Sequence, residues 1–190
     1  NSVRTQKAKT KIAFFQPLTL LDMVVYYQRG RDIHRISEIK CSQSFHSIPF
    51  DIRKTAVALF ITEMLGQVLK EEDEPLALFQ FLHESIGKLD DLHDNFQDFH
   101  LRFFLELSEY LGIRPDSGLF MLSETGRPLE HNRQLEEFLD WLLNKENTLP
   151  GNFNRNVRLQ LLQIIVDYYR IQYDSIKPMK SIEILREVFE

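Results

Sequence analysis

The apolar pattern of this chain changes period near residue 47, and that change constrains the fold more than any other feature. Before it, residues 11–16 and 18–27 are dense in Phe, Leu, Val and Tyr, with Pro17 between them. Such aromatic and β-branched runs form strands. The stretch Gln28-Arg29-Gly30-Arg31-Asp32 follows as a turn, in which Gly30 is free to take a positive φ. Residues 33–42 carry Ile33, Ile36 and Ile39 every third position, a helical spacing. We read them as a third strand because a strand and a turn precede them.

From Ile48 onward the spacing is helical. Val57, Ile61, Met64, Leu65 and Val68 fall on one face, with Ser47 or Asp51 as the cap. Pro75 suits the first turn of a second helix, on which Leu78, Leu82, Ile86 and Leu89 share a side. A third carries Phe96, Phe99, Phe103, Leu107 and Leu111 and ends at Gly112. Residues 113–130 hold Pro115, Gly118, Gly126 and Pro128 and read as the longest loop. A fourth helix carries Leu135, Phe138, Leu139, Leu142 and Leu143, a fifth Val157, Leu161, Ile164, Ile165 and Tyr168, and a short sixth spans 181–189. The expected class is therefore α+β, mostly α. A few strands that cannot close a barrel alone precede an all-helical body.

A chain of 190 residues with 43% hydrophobic residues can build a sizeable core. The single Cys41 excludes an intrachain disulfide and a multi-cysteine zinc site and fits a reducing cytoplasm. No apolar run approaches the roughly 20 residues that cross a bilayer, so no membrane partner is expected. The front has neither an apolar signal core nor an initiator Met, which we read as a chain truncated at its start.

The net charge of −5 is unevenly spread. Residues 1–46 carry eight Lys and Arg against three Asp and Glu, a net of +5, and the remainder carries −10. A basic front on an acidic body points to a polyanionic partner. The rival reading is a solvated edge that binds nothing. Lys7, Lys9 and Lys11 alternate beside Phe14 and Phe15. Lysines neutralise phosphates with counterion release, and exposed aromatics stack on unpaired bases. Either Phe could equally belong to a strand core.

No motif carries covalent chemistry. The chain lacks G-x-S-x-G, a phosphate-binding P-loop, G-x-G-x-x-G and H-E-x-x-H. Cys41 with His34 or His46 could make a nucleophile pair, but a half-buried inert thiol is the default. Asp90, Asp91, His93, Asp94, Asp98 and His100 form the densest ligand-like cluster and would suit Mg²⁺ or Mn²⁺. A helix junction and its cap explain the same residues. The aromatic set Phe79, Phe81, Phe96, Phe99, Phe103 and Phe104 is core by default and a peptide groove otherwise, while Trp141, Tyr168 and Tyr169 are core or rim.

Several short segments in collinear order then resemble the RecO family of DNA repair and recombination mediators. They are Arg4-Thr5-Gln6-Lys7-Ala8-Lys9-Thr10-Lys11, Phe15-Gln16-Pro17-Leu18, Ser47-Ile48-Pro49-Phe50-Asp51 and the helix 56–69. Phe99-His100-Leu101-Arg102 leading to Tyr110-Leu111-Gly112, and Lys180-Ser181 followed by Leu185, complete the set. The likeness spans nearly the whole chain and is similar to the Bacteroides-like branch that lacks the zinc cysteines.

The resemblance implies an incomplete N-terminal OB-fold over residues 1–45, about fifty residues short at its front by the family's layout, and a helical C-terminal domain over 46–190. It implies a non-enzymatic, cytoplasmic, nucleoid-associated protein without cofactor or metal. Such a protein would bind single- and double-stranded DNA, anneal single strands, associate with RecR, recognise the C-terminal tail of single-strand-binding protein, and indirectly help load RecA. By matched position, the DNA-binding candidates are Arg4, Lys7, Lys9 and Lys11, with Arg29, Arg31 and Arg35 added from the turn and last strand. The acidic tail needs a basic residue beside an apolar groove, and Arg102 with Phe99 and Phe103 is the candidate. Residues 113–130 contain no cysteine, so zinc is excluded there and Leu119, Phe120 and Met121 must hold the loop unless it is mobile. A helical interaction scaffold without DNA binding is the alternative. A hydrolase using Asp90, Asp94 and His100 is the third reading.

Overall fold

The computed structural model describes residues 14–31, 33–69, 75–144, 151–174 and 176–189. Among them, strands β1 (Leu21–Tyr26) and β2 (Arg35–Cys41) precede seven helices. These are α1 (Ile52–Val68), α2 (Leu76–Asp91), α3 (Phe99–Tyr110), α4 (Gly118–Glu124), α5 (Leu129–Asn144), α6 (Arg155–Gln172) and α7 (Ser181–Val188). The class is α+β and mostly α, with one two-stranded antiparallel sheet.

The period-three isoleucines of β2 have a structural cause. Val24 pairs with Glu38 and Val25 with Ile36, so Ser37 is an extra residue in the ladder. This bulge resets the alternation. Ile36 and Ile39 then face Val25 and Met23, two positions apart on β1 and therefore on one side. The Ser37 hydroxyl donates to the Val24 carbonyl at 3.2 Å and fastens the bulge. Neither face of the ribbon is covered: Met23, Val24, Val25, Tyr26 and Ile36 are all exposed.

The expected strand over 11–16 is not formed where it is described. Residues 14–18 turn instead. The Thr19 amide and hydroxyl both donate to the Gln16 carbonyl, at 3.2 and 2.9 Å. Pro17 and Leu18 occupy the bend, and Leu18 is forced to φ 59°. Proline has no N–H for a ladder, which favours the turn over the strand. Cys41 is exposed at the end of β2 and not half-buried.

The helices share one core. α3 packs against α2, α5 and α6, α4 rests on α5 and α6, and α1 lies along α7. Phe60 of α1, Phe104 of α3 and Tyr169 of α6 meet edge to face at 5.1 and 5.8 Å between ring centres. Such pairs add about 0.5–1.5 kcal/mol each beyond their burial. The Tyr169 hydroxyl donates to the Phe104 carbonyl at 2.7 Å, so the buried phenol is satisfied. Asp51, not Ser47, caps α1 by accepting from the Arg53 amide at 2.8 Å. Gly112 ends α3 at φ 70°, with the Ile113 amide returning to the Ser108 carbonyl at 2.9 Å.

The loop expected over 113–130 contains α4. Ser117 caps it, accepting from the Phe120 amide at 3.1 Å. Met121 and Leu122 are wholly buried, whereas Leu119 and Phe120 remain exposed. Of the aromatic set, Phe81, Phe96, Phe103 and Phe104 are core, Phe99 is half-buried, and Phe79 faces solvent. No helix among the described residues is long and apolar enough to cross a membrane.

Candidate functional site

The front hairpin and the helical body are joined through Asp90, at the C-terminal end of α2. Its side chain is 1% exposed and accepts from the amides of His46, Ser47 and Ile48 at 2.9, 2.9 and 2.8 Å. The Ser47 hydroxyl lies within bonding distance of both the Asp90 side chain and its carbonyl. Buried Lys54 of α1 donates to the same carbonyl at 2.9 Å and to the Ser47 hydroxyl at 2.5 Å. Burial pushes the Asp90 carboxyl up, but these donors outweigh it and hold the group below its ordinary range. Burial likewise lowers the Lys54 ammonium, against the pull of Asp90.

That geometry corrects the metal reading. Asp90 spends its oxygens on the chain entering α1. His100 is buried in the core, edge-on to Phe60 at 5.9 Å. Burial, and then the Arg158 charge, depress its imidazole to about 3. Asp94 is exposed, and Asp98 pairs with Arg102. Among the described residues, the His, Cys, Asp and Glu side chains close enough to share an ion are His46, Asp90 and Asp91, not Asp90, Asp94 and His100. Within that trio, His46 Nδ1 already sits 2.7 Å from Asp90 Oδ2. The cluster reads as a joint.

Two surfaces remain as binding candidates. The first is the hairpin tip. The Arg31 amide donates to the Gln28 carbonyl at 3.2 Å, closing a turn that Gly30 completes at φ 83°. Arg29 and Arg31 project from this turn, and Arg35 begins β2 opposite Tyr26. All three are exposed and have no ion-pair partner among the described residues. Lys40 at the root differs, lying 3.5 Å from Asp22. Arg4, Lys7, Lys9 and Lys11 lie outside the described residues.

The second is a hollow of about 400 Å³ along α3, lined by cationic Lys88 and Arg102, acidic Asp98 and Glu106, and the rings of Phe99 and Trp141 among others. It brings Arg102, Phe99 and Phe103 together. The helical repeat sets Arg102 one turn beyond Asp98, which accepts from its Nε at 3.2 Å. The guanidinium lies 4.0 Å from the centre of the Trp141 ring of α5. Stacking and a single carboxylate hold its plane, and its two terminal nitrogens have no hydrogen-bond partner among the described residues. A pre-set fork of this kind suits a carboxylate. Trp141 was legible only as core or rim; its place under Arg102 depends on how α5 crosses α3.

A mostly helical α+β body that offers an arginine-rich ribbon and a mixed polar and aromatic hollow topped by Arg102 defines a protein built around binding surfaces. The family model described as Recombination protein O C terminal matches residues 49–118. The chain is 34% identical to the DNA repair protein RecO of Flavobacterium psychrophilum over 97% of its length and 82% of that relative. It is 34% identical to the one from Bacteroides fragilis, over 98% and 84%, and 27% identical to the one from Porphyromonas gingivalis, over 92% and 78%. No solved structure matches. The chain belongs to the RecO family of DNA repair proteins.

Proposed function

We propose that this protein is a recombination mediator that works by binding, with no covalent chemistry of its own. It holds and anneals single-stranded DNA, associates with RecR, and docks the acidic C-terminal tail of single-strand-binding protein so that RecA can be loaded. In this reading residues 1–45 belong to an OB-fold whose ribbon is β1–β2, and 46–190 form the helical domain.

The observation that carries the DNA reading is the grouping of Arg29, Arg31 and Arg35 at one exposed end of the hairpin, in a family of DNA repair proteins. Arg4, Lys7, Lys9 and Lys11 are the remaining phosphate contacts. Retardation of a labelled single-stranded oligonucleotide tests it. The protein retards the oligonucleotide, and charge reversal at Arg29, Arg31 and Lys7, Lys9, Lys11 relieves the retardation. A scaffold without DNA binding would leave the oligonucleotide free from the outset.

The tail-binding reading rests on the Arg102 fork above Trp141, beside Phe99 and Phe103. A fluorescent acidic peptide ending in an apolar residue binds the protein and is lost from Arg102→Glu. Retention by that variant would move the peptide elsewhere.

A further inference from the structure

The hairpin tip holds an aromatic pair that the phosphate reading does not use. Tyr27 follows β1 directly, is 74% exposed, and leans on the His34 ring with centres 4.7 Å apart at 36°. His34 is itself held, because the Gln28 amide donates to its Nδ1 at 3.3 Å. That bond requires an unprotonated Nδ1, leaving the N–H at Nε2. The imidazole is thus a fixed brace under one side of the phenol ring, and the other side is open. In sequence, residues 28–35 carry three arginines against one acid, Asp32.

Tyr26 and Ile33 near Tyr27 are exposed as well, so the tip joins apolar surface to cationic side chains. Arg29 and Arg31 stand on the turn that follows Tyr27 and Arg35 opens the next strand, which turns the choice of partner toward a polyanion with flat faces. Unpaired bases stack on such rings at about 1–3 kcal/mol each. A duplex keeps its bases stacked inside and exposes none without an unstacking cost of a few kcal/mol. We propose that Tyr27, braced by His34, is a stacking platform for one unpaired base. It makes the hairpin tip discriminate single-stranded from duplex DNA, while Arg29, Arg31 and Arg35 hold either by its phosphates. This rests on the DNA-binding reading above and adds the residue that sets strand preference.

The test uses the whole chain with a fluorescent oligothymidylate and a duplex of equal length, read by anisotropy at several salt concentrations. Tyr27→Ala weakens single-strand binding about tenfold, leaves duplex binding unchanged and leaves the salt slope unchanged. Tyr27→Phe keeps the flat ring and restores binding. Because the side chain is exposed, neither variant disturbs the core, and thermal unfolding verifies this. Equal loss for both DNA forms, or no loss for Tyr27→Ala, overturns the stacking platform. If Arg29→Glu with Arg31→Glu then still weakens both forms, the DNA reading survives that failure. If the unaltered chain binds neither form, both readings fall together.

Discussion

His100 is a buried imidazole whose Nδ1 has no hydrogen-bond partner among the described residues, set against Phe60 and near the Arg158 charge. Its folded value of about 3 lies below the ordinary histidine range, so folding excludes a proton that the unfolded chain accepts. The sign follows: stability is full above about pH 6.5 and falls as pH drops toward the folded value. Between pH 7 and 5 the loss amounts to about 2 kcal/mol. The carboxyls held low by their donors, Asp90 and Glu63, have the opposite arrangement. Their contribution is present above the ordinary carboxylate range and is lost only as pH falls through their folded values. Urea unfolding at pH 7 and 5 therefore isolates the histidine. His100→Leu should show little pH dependence over that interval. A variant as pH-sensitive as the parent would assign the effect to another group.

Two elements carry the next scale. α4 exists because Ser117 caps it and because Gly118 lets it lie against α5. A Cβ there would stand 2.7 Å from the Glu136 carbonyl and 2.8 Å from Leu139 Cβ. Gly118→Ala should cost about 1–3 kcal/mol in urea unfolding, since backbone cannot move aside cheaply. A neutral substitution would mean that α4 does not sit this close. The joint makes a second prediction. Asp90→Ala leaves the amides of His46, Ser47 and Ile48 without their shared acceptor and buried Lys54 without the negative charge beside it, at a cost of about 3 kcal/mol. Amide exchange at residues 46–48 should rise with it, and unchanged protection there would contradict the joint.

The six long or strongly periodic helical runs were legible because each puts apolar residues on one face. α4 was not, because its seven residues lie among Gly and Pro and only two apolar side chains in it, Met121 and Leu122, are buried. The turn over 14–18 was hidden by Phe14 and Phe15, whose β propensity gives way to the local bend at Pro17 and Leu18. The bulge at Ser37 gave β2 a helical spacing, and the strand and turn before it identified it as a strand all the same. For the hairpin tip, the arginines could be counted from sequence, but that Arg29, Arg31 and Arg35 have no carboxylate partner among the described residues could not. Asp90 looked like a ligand because acidic clusters near a helix end serve both as ligands and as anchors, and only the three amides at its oxygens separate the two.

The molecule as a whole is divided by charge. An acidic helical body with a shared aromatic core carries a basic ribbon at its front and an arginine-topped hollow on α3. Like charges on the body would repel a nucleic acid except where the front offers cations. The joint at Asp90 fixes where that front meets the body. The family relation extends over most of the relatives' lengths, so the division belongs to the chain as a whole and not to a short motif.

The most direct measurement is the salt dependence of single-strand binding by the intact chain and by the triple variant with Arg29, Arg31 and Arg35 changed to Ala. Each phosphate contact adds about 0.7 to the slope of log affinity against log salt, so removing three should flatten it by about 2 while the fold is kept. A slope that stays the same after all three arginines are gone would contradict the placing of DNA on this hairpin.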